Sequence, residues 1–432
     1  MKMPAAETLM LFAIPMFFVL IGVELLAARL MRRRVYRLND AINSIGLGVL
    51  SQVVGVFGKL LTVGIYAWVV ERVALFDLPG DSVWVWLGAL LLYDVCYYWL
   101  HRGGHEVGIL WAAHVVHHQS ERYNLSTALR QSGSGVLLGW IFYLPMALLG
   151  VPVEVFAVVA VIDLLYQYWI HTELVPKLGW FDRVFASPSN HRVHHGVNDP
   201  YLDRNYGGIF ILWDRLFGTF AEERDDEPVV FGTRAPLRSW NPLWANAEVY
   251  WALAKDAWYA RRWRDKLRVW FAPPGWRPAD VAERYPKPAF DIARDAYDPM
   301  VSTTMQAYAF AQFVILLALG VDFLGIAERL EAMQAIAYAG VLLWGLVVLG
   351  ALLEGRAWGA RVELPRLALL AAWPWLVARW PGYAGFVDEL AVVLPVLAIA
   401  SLPVLLLAWR GTRALHASGT PDASPEPSQE AL

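Results

Sequence analysis

The chain has 432 residues, 57% of them hydrophobic and 17% charged, where an ordinary soluble domain is roughly a quarter charged. A net charge of −3 gives no footing for nucleic acid or another strongly charged partner. The single cysteine, Cys96, excludes an internal disulfide, a cysteine-ligated iron–sulfur cluster and a CxxC redox pair. What remains is a membrane protein, and 22 tryptophans suit a chain with many bilayer–water boundaries.

Residues 9–30 form the first apolar run, long enough to span at about 1.5 Å per residue. The run is too long, and its preceding region too poor in charge, for a cleaved signal peptide. Arg29, Arg32, Arg33, Arg34 and Arg37 follow and place that end in the cytoplasm. A second run, 45–70, leads back out, and a third, 83–100, returns to deliver His101 at the cytoplasmic boundary. Asp94 lies two helical turns before His101, with Tyr98 between them on nearly the same face. An ionisable group inside a span faces a partner or a site. Asp94 therefore reads either as a carboxylate that orients a histidine ligand or as a packing group.

Nine of the ten histidines fall between positions 101 and 195, where about two would fall by chance. They form His101-Arg-Gly-Gly-His105, His114-Val-Val-His117-His118, the lone His171, and His191-Arg-Val-His194-His195. Residues three and four apart share a helix face, so each cluster is expected to aim two or three imidazoles at one point. Nine imidazoles exceed what one metal ion takes, and two ions held by several helices is the economical reading. Glu106, next to His105, reads as a ligand, a proton handler, an anchor for an imidazole, or a solvated surface group.

The interval 102–132 reads as soluble. The apolar runs 135–149 and 153–170, split at Gly150-Val151-Pro152, predict a hairpin or thin-spanning pair that returns His171 to the same side. Asp163, Gln167 and His171 step by four and repeat the Asp94–Tyr98–His101 stripe. Residues 172–300 are polar enough to lie outside the bilayer, and Pro188 and Asn190 mark a helix start before His191. Trp244, Trp251 and Trp258 recur every seven residues ahead of Arg261, Arg262, Arg264, Lys266 and Arg268. That pattern fits a helix on the membrane surface, or an aromatic face packed on the cap. Runs near 305–324, 335–353, 367–380 and 390–409 are again membrane, with Arg356, Arg361 and Arg366 on one flank. The tail from His416 has a disordered composition.

Neutral nitrogen ligands suit zinc, copper, iron or nickel. A redox-active iron pair would activate O2 and abstract hydrogen from an alkyl chain in a dry apolar pocket. HxxxH, HxxHH and a later HxxHH in a helical membrane protein resemble the fatty acid hydroxylase/sterol desaturase superfamily of di-iron oxygenases. The run Tyr123–Ser132, Asn205-Tyr-Gly-Gly208 and Trp213-Asp-Arg-Leu-Phe-Gly-Thr-Phe220 resemble its alkylglycerol monooxygenase branch.

The resemblance implies an all-α, polytopic helical membrane protein with a cytosolic histidine-rich di-metal cap. Its segments would be N-terminal membrane helices over 1–82, a catalytic domain over 83–300, C-terminal membrane helices over 301–411 and a disordered tail over 412–432. It implies two irons on His101, His105, His114, His117, His118, His171, His191, His194 and His195, with Glu106 as a functional residue. Asp94, Asp163, Gln167 and Asn190 are expected to support those ligands. It further implies O2, a membrane lipid substrate cleaved at an ether bond to a fatty aldehyde, and an electron donor, either tetrahydrobiopterin or a redox protein. The alternatives are a fatty acyl, sterol or aminolipid hydroxylase or desaturase and, from another class, a membrane metal transporter.

Overall fold

A computed structural model describes residues 4–418; among them there is no strand, only two isolated bridges, Phe185 with Phe210 and Gly196 with Phe231. Six of the described helices are long and apolar enough to cross a membrane: Phe12–Leu30, Leu38–Gly58, Val83–Glu106, Thr303–Arg329, Ala332–Leu353 and Val393–Ala417. The chain divides into two compact units, Met1–Tyr297 and Asp298–Leu432.

The first unit opens with α1 (Pro4–Leu30), α2 (Leu38–Lys59), a π-helical turn at Leu60–Gly64 and α3 (Ile65–Val73). The expected run 45–70 is therefore not one helix: α2 starts seven residues earlier, at Leu38, and the π turn breaks the ladder after Lys59. Next, α4 (Val83–Glu106) does not end at residue 100 but carries His101 and His105 on its last turns.

Val107 alone is extended (φ −125°, ψ 121°) and turns the chain back into α5 (Gly108–His118). The Arg-Gly-Gly spacer lets α5 lie close, since a Cβ on Gly104 would sit 3.3 Å from the His114 ring.

The interval 102–132 is not a solvated surface. The side chain of Asn124 accepts from Ser126 N and caps the short α6 (Leu125–Ala128). Beyond it, Arg130 is fully buried and donates to Val116 O at 2.6 Å, Asn43 Oδ1 at 2.7 Å and Gln119 Oε1 at 3.2 Å.

The first arm of the expected hairpin is a series of short pieces, α7 (Gly135–Leu138), a 3-10 turn and α8 (Leu144–Leu148). After Gly150, held at φ 82°, α9 (Val153–Trp169) follows as a 17-residue helix. Both arms pack on α3 and α4 through stacked rings, Tyr66 on Phe156 at 4.0 Å and Tyr93 on Tyr143 at 4.6 Å. The unit closes with α10 (Pro188–His194), α11 (Leu212–Phe217), α12 (Pro242–Tyr259), α13 (Trp263–Phe271) and α14 (Ala279–Arg284).

The second unit is α15 (Thr303–Ile326), α16 (Ala332–Leu353), α17 (Ala357–Val377) and α18 (Val393–Ser418). Arg366 does not flank the bilayer as its sequence position suggested. It is buried and donates to Glu363 Oε2 at 2.6 Å and to Gln312 Oε1, while Gln312 donates to Ser401 at 2.7 Å. A buried charge persists only with such partners, which explains why α17 can start ten residues before the expected run at 367–380. His416, expected in a disordered tail, lies in α18 with Nε2 2.9 Å from Met300 O; the tail beyond Ser418 lies outside the described residues.

Candidate metal centre

The nine histidines converge as two sets. The first comprises His101, His105, His114, His118 and His194; the second comprises His117, His171, His191 and His195. Within each set the ligand nitrogens all lie within 4.8 Å of one another. Each HxxHH cluster is thus divided between the sets rather than aimed at one point. Positions i and i+4 differ by about 40° around a helix, whereas i+3 and i+4 differ by about 100°. His114 and His118 of α5 accordingly join the pair His101 and His105 of α4, while His117 turns to the other set. Around α10 the pattern inverts, with His191 and His195 in the second set and His194 in the first.

Main-chain carbonyls fix the rings. His101 Nδ1 lies 2.8 Å from Tyr206 O, His117 Nδ1 2.9 Å from Arg130 O, His171 Nδ1 2.8 Å from Gln167 O and His194 Nδ1 2.9 Å from Arg204 O. His105 Nδ1 lies 3.4 Å from Asp203 Oδ1. A carbonyl can only accept, so the proton sits on Nδ1 in those four rings and Nε2 is a bare acceptor. His117 Nε2 and His171 Nε2 are nevertheless 3.1 Å apart, and His171 Nε2 is 3.0 Å from His191 Nε2. In the first set His118 Nε2 is 3.2 Å from His105 Nε2 and 3.0 Å from His114 Nε2. In the His117–His171 pair both Nε2 atoms are bare, and facing lone pairs repel unless a cation stands between them. Two nitrogens bound at about 2.1 Å and at right angles on one ion are about 3.0 Å apart, the separation seen here. The Nε2 atoms of His101, His194 and His195 are buried without any hydrogen-bond partner. The residues fit a metal ion in each set.

Burial disfavours the imidazolium form in seven of the rings. It lowers His117 to about 4 and holds His114, His118, His171, His191, His194 and His195 well below the usual histidine range. These rings are neutral at physiological pH, the state a metal needs.

Among the expected support residues, Asp94 and Asp163 make no direct contact with an imidazole. Asp94 accepts from Ile209 N at 2.7 Å, Phe210 N at 3.0 Å and Trp213 Nε1 at 2.7 Å. Asp163 receives the Gln167 amide at 2.6 Å. Gln167 reaches His171 through its main-chain carbonyl. Asn190 ties the start of α10 to the preceding turn by donating to Asp182 O at 3.0 Å and Phe185 O at 3.2 Å. Glu106 lies outside both sets; its exposed carboxylate receives Arg102 Nε at 2.9 Å.

Other residues were not foreseen. Asp214 accepts from Tyr206 N, Gly207 N and Thr219 Oγ1, each at 2.7 Å. Asp94 and Asp214 therefore grip the turn 206–210 from its two ends, and that turn supplies the carbonyl facing His101. Glu24, buried in α1, accepts Leu125 N at 2.8 Å and also the Thr172 and Tyr36 hydroxyls, which pins α1 beside His171. The only sequence signal for Asp214 and this turn was the motif text Asn205–Gly208 and Trp213–Phe220.

Gly208 has no room for a side chain. A Cβ there would lie 2.8 Å from oxygens of both Asp94 and Asp163 and 2.9 Å from Tyr97. Gly208→Ala is expected to cost about 1–3 kcal/mol through overpacking and to lower metal retention, measured by thermal unfolding in detergent and metal analysis. Wild-type values for both would show that the turn can shift freely.

Residues 86–219 match the fatty acid hydroxylase family. The chain is 40% identical over 340 residues to alkylglycerol monooxygenase of Danio rerio, covering 77% of this chain and 75% of that protein. It is 36% identical over 364 residues to the human alkylglycerol monooxygenase, with 82% and 80% covered. A shorter similarity, 30% identity over 135 residues, joins it to an ornithine lipid hydroxylase of Rhizobium tropici, covering 30% of this chain and 40% of that protein. No solved structure matches.

Proposed function

Because the chain belongs to the alkylglycerol monooxygenase family, we propose that this integral-membrane oxidoreductase hydroxylates a lipid alkyl chain at the carbon next to an ether oxygen. One oxygen atom of O2 enters the C–H bond. The other leaves as water, with two electrons and two protons from a reductant, tetrahydrobiopterin or a redox protein. The hemiacetal then breaks its C–O bond to a fatty aldehyde and a glycerol lipid. The observation that carries the reading is the pair of converging nitrogen sets, with eight of the nine rings buried and three Nε2 atoms without a hydrogen-bond partner.

In this reading His101, His105, His114, His118 and His194 hold one iron and His117, His171, His191 and His195 the other. Iron supplies the O2 chemistry when bound. The protein's own part is to hold the Nδ1–H of His101, His117, His171 and His194 on carbonyls so that Nε2 keeps its aim, and to exclude water by burying the rings. Asp94, Asp163, Gln167 and Asn190 act indirectly, through the turns and helix ends they fasten. Glu106, beside His105 and paired with Arg102, serves as a proton-handling or anchoring group at the edge of the first set.

Purified protein given an alkylglycerol, O2 and a reduced pterin should release fatty aldehyde, read by mass spectrometry. A hydroxylated lipid with its chain intact would favour the second reading, an acyl or aminolipid hydroxylase, which the ornithine lipid hydroxylase similarity supports. Metal transport has less behind it, since the named relatives are oxygenases and the nitrogens close into two buried sets.

We place the centre on the cytoplasmic side. The arginines after α1 favour that side, and Arg33 donates to Glu173 O at 2.8 Å, two residues beyond His171. Cysteine introduced at the exposed Asp225 should react with an impermeant maleimide only after the membrane is opened. Labelling from outside intact cells would reverse the orientation.

A further inference from the structure

The helices α12 and α13 carry an aromatic surface that the metal centre does not use. Packing of that surface on the cap is excluded by exposure, which is 79% for Trp258, 80% for Trp263 and 67% for both Leu267 and Phe271. On α13, Trp263, Leu267 and Phe271 step by four and form one apolar stripe. Arg264 and Arg268, about 100° further round, form a basic stripe beside it. The opposite side of the helix packs inward through the buried Val269. The stretch 261–268 holds five basic residues against one acidic, Asp265. On α12 Trp244 and Trp251, at seven-residue spacing from Trp258, are exposed as well.

A main-chain contact fixes the end of α13 to the start of α5. Gly108 N donates to Ala272 O at 2.9 Å, just past the end of α13. Gly108 is two residues beyond the last residue of the candidate span Val83–Glu106. The helix is therefore tied beside the C-terminal end of the candidate span formed by α4. Gly108 has no side chain to hold the two apart, since a Cβ would stand 3.0 Å from Val269 O.

We propose that α13, with the end of α12, is an interfacial anchor. Its Trp263–Leu267–Phe271 stripe enters the leaflet on the cap side, and Arg262, Arg264 and Arg268 bind the phosphates of anionic phospholipid headgroups. Aromatic rings and arginines divide between these two layers by their own solvation, the ring in the apolar boundary and the guanidinium on phosphate. The proposal does not depend on the reaction catalysed.

The test uses the full chain in nanodiscs with single spin labels at position 267, 271 or 225; the native Cys96 is buried. Labels at 267 and 271 should be relaxed more by oxygen than by a water-soluble nickel chelate, and the label at 225 the reverse. Equal nickel accessibility at all three sites would overturn the anchor. Replacing phosphatidylcholine by phosphatidylglycerol at low salt should raise the oxygen-to-nickel ratio at 267 by about 2-fold or more. The triple variant R262Q/R264Q/R268Q should lose that rise. A rise that persists in the triple variant, or none in the wild type, would overturn the headgroup assignment.

Discussion

Alanine at His171 or His191 is expected to abolish turnover and to lose metal more completely than alanine at His114. The second set has four nitrogens, so one removal leaves three; the first has five, so one removal leaves four. His171 and His191 are fully enclosed, whereas His114 is half-buried. Loss of a ligand should exceed the 10–100-fold typical of losing an orienting partner, so activity is expected to fall by more than about 100-fold for His171→Ala and His191→Ala. The neighbours His117 and His118 provide a sharper comparison, because adjacent residues serve different sets. His118→Ala should perturb the metal spectrum of the first set and His117→Ala that of the second. Identical spectra and metal contents from the two variants would contradict the division.

Asp94→Asn and Asp214→Asn are the next largest effects. Each carboxylate accepts three hydrogen bonds, and an amide replaces one acceptor oxygen with a donor that faces other donors. A buried donor left unpaired costs about 1–3 kcal/mol. The turn 206–210 then loosens, and with it the Tyr206 carbonyl that fixes His101. Metal affinity should fall about 10–100-fold in protein that still folds. If folded molecules of both variants keep wild-type activity and metal, the two aspartates only pack helices together.

The parts of the site that follow helix periodicity were legible in the sequence. Histidines four apart mark one face, and their number implies more than one ion. The division of His114-Val-Val-His117-His118 was not legible, because it depends on which neighbouring helices face α5. The ring-fixing groups were hidden for a different reason. Four of them are main-chain carbonyls, of Arg130, Gln167, Arg204 and Tyr206, and a carbonyl has no residue-type signature. Asp94, as an ionisable group within a span, needs partners, yet these are two amides of a turn and the indole of Trp213, all more than a hundred residues away. Membrane runs are legible wherever composition is uniform. They are not legible at α17, where Arg366 is sheltered by Glu363, or at α2, where polar Asn39, Asp40, Asn43 and Ser44 are buried.

Metal content tests the two nitrogen sets most directly. Elemental analysis of the protein, purified without chelators in mild detergent, should find about two irons per chain, one for each nitrogen set, held through prolonged dialysis. Binding of no transition metal, or of one ion per chain even when iron is supplied in excess, would contradict the two-ion reading.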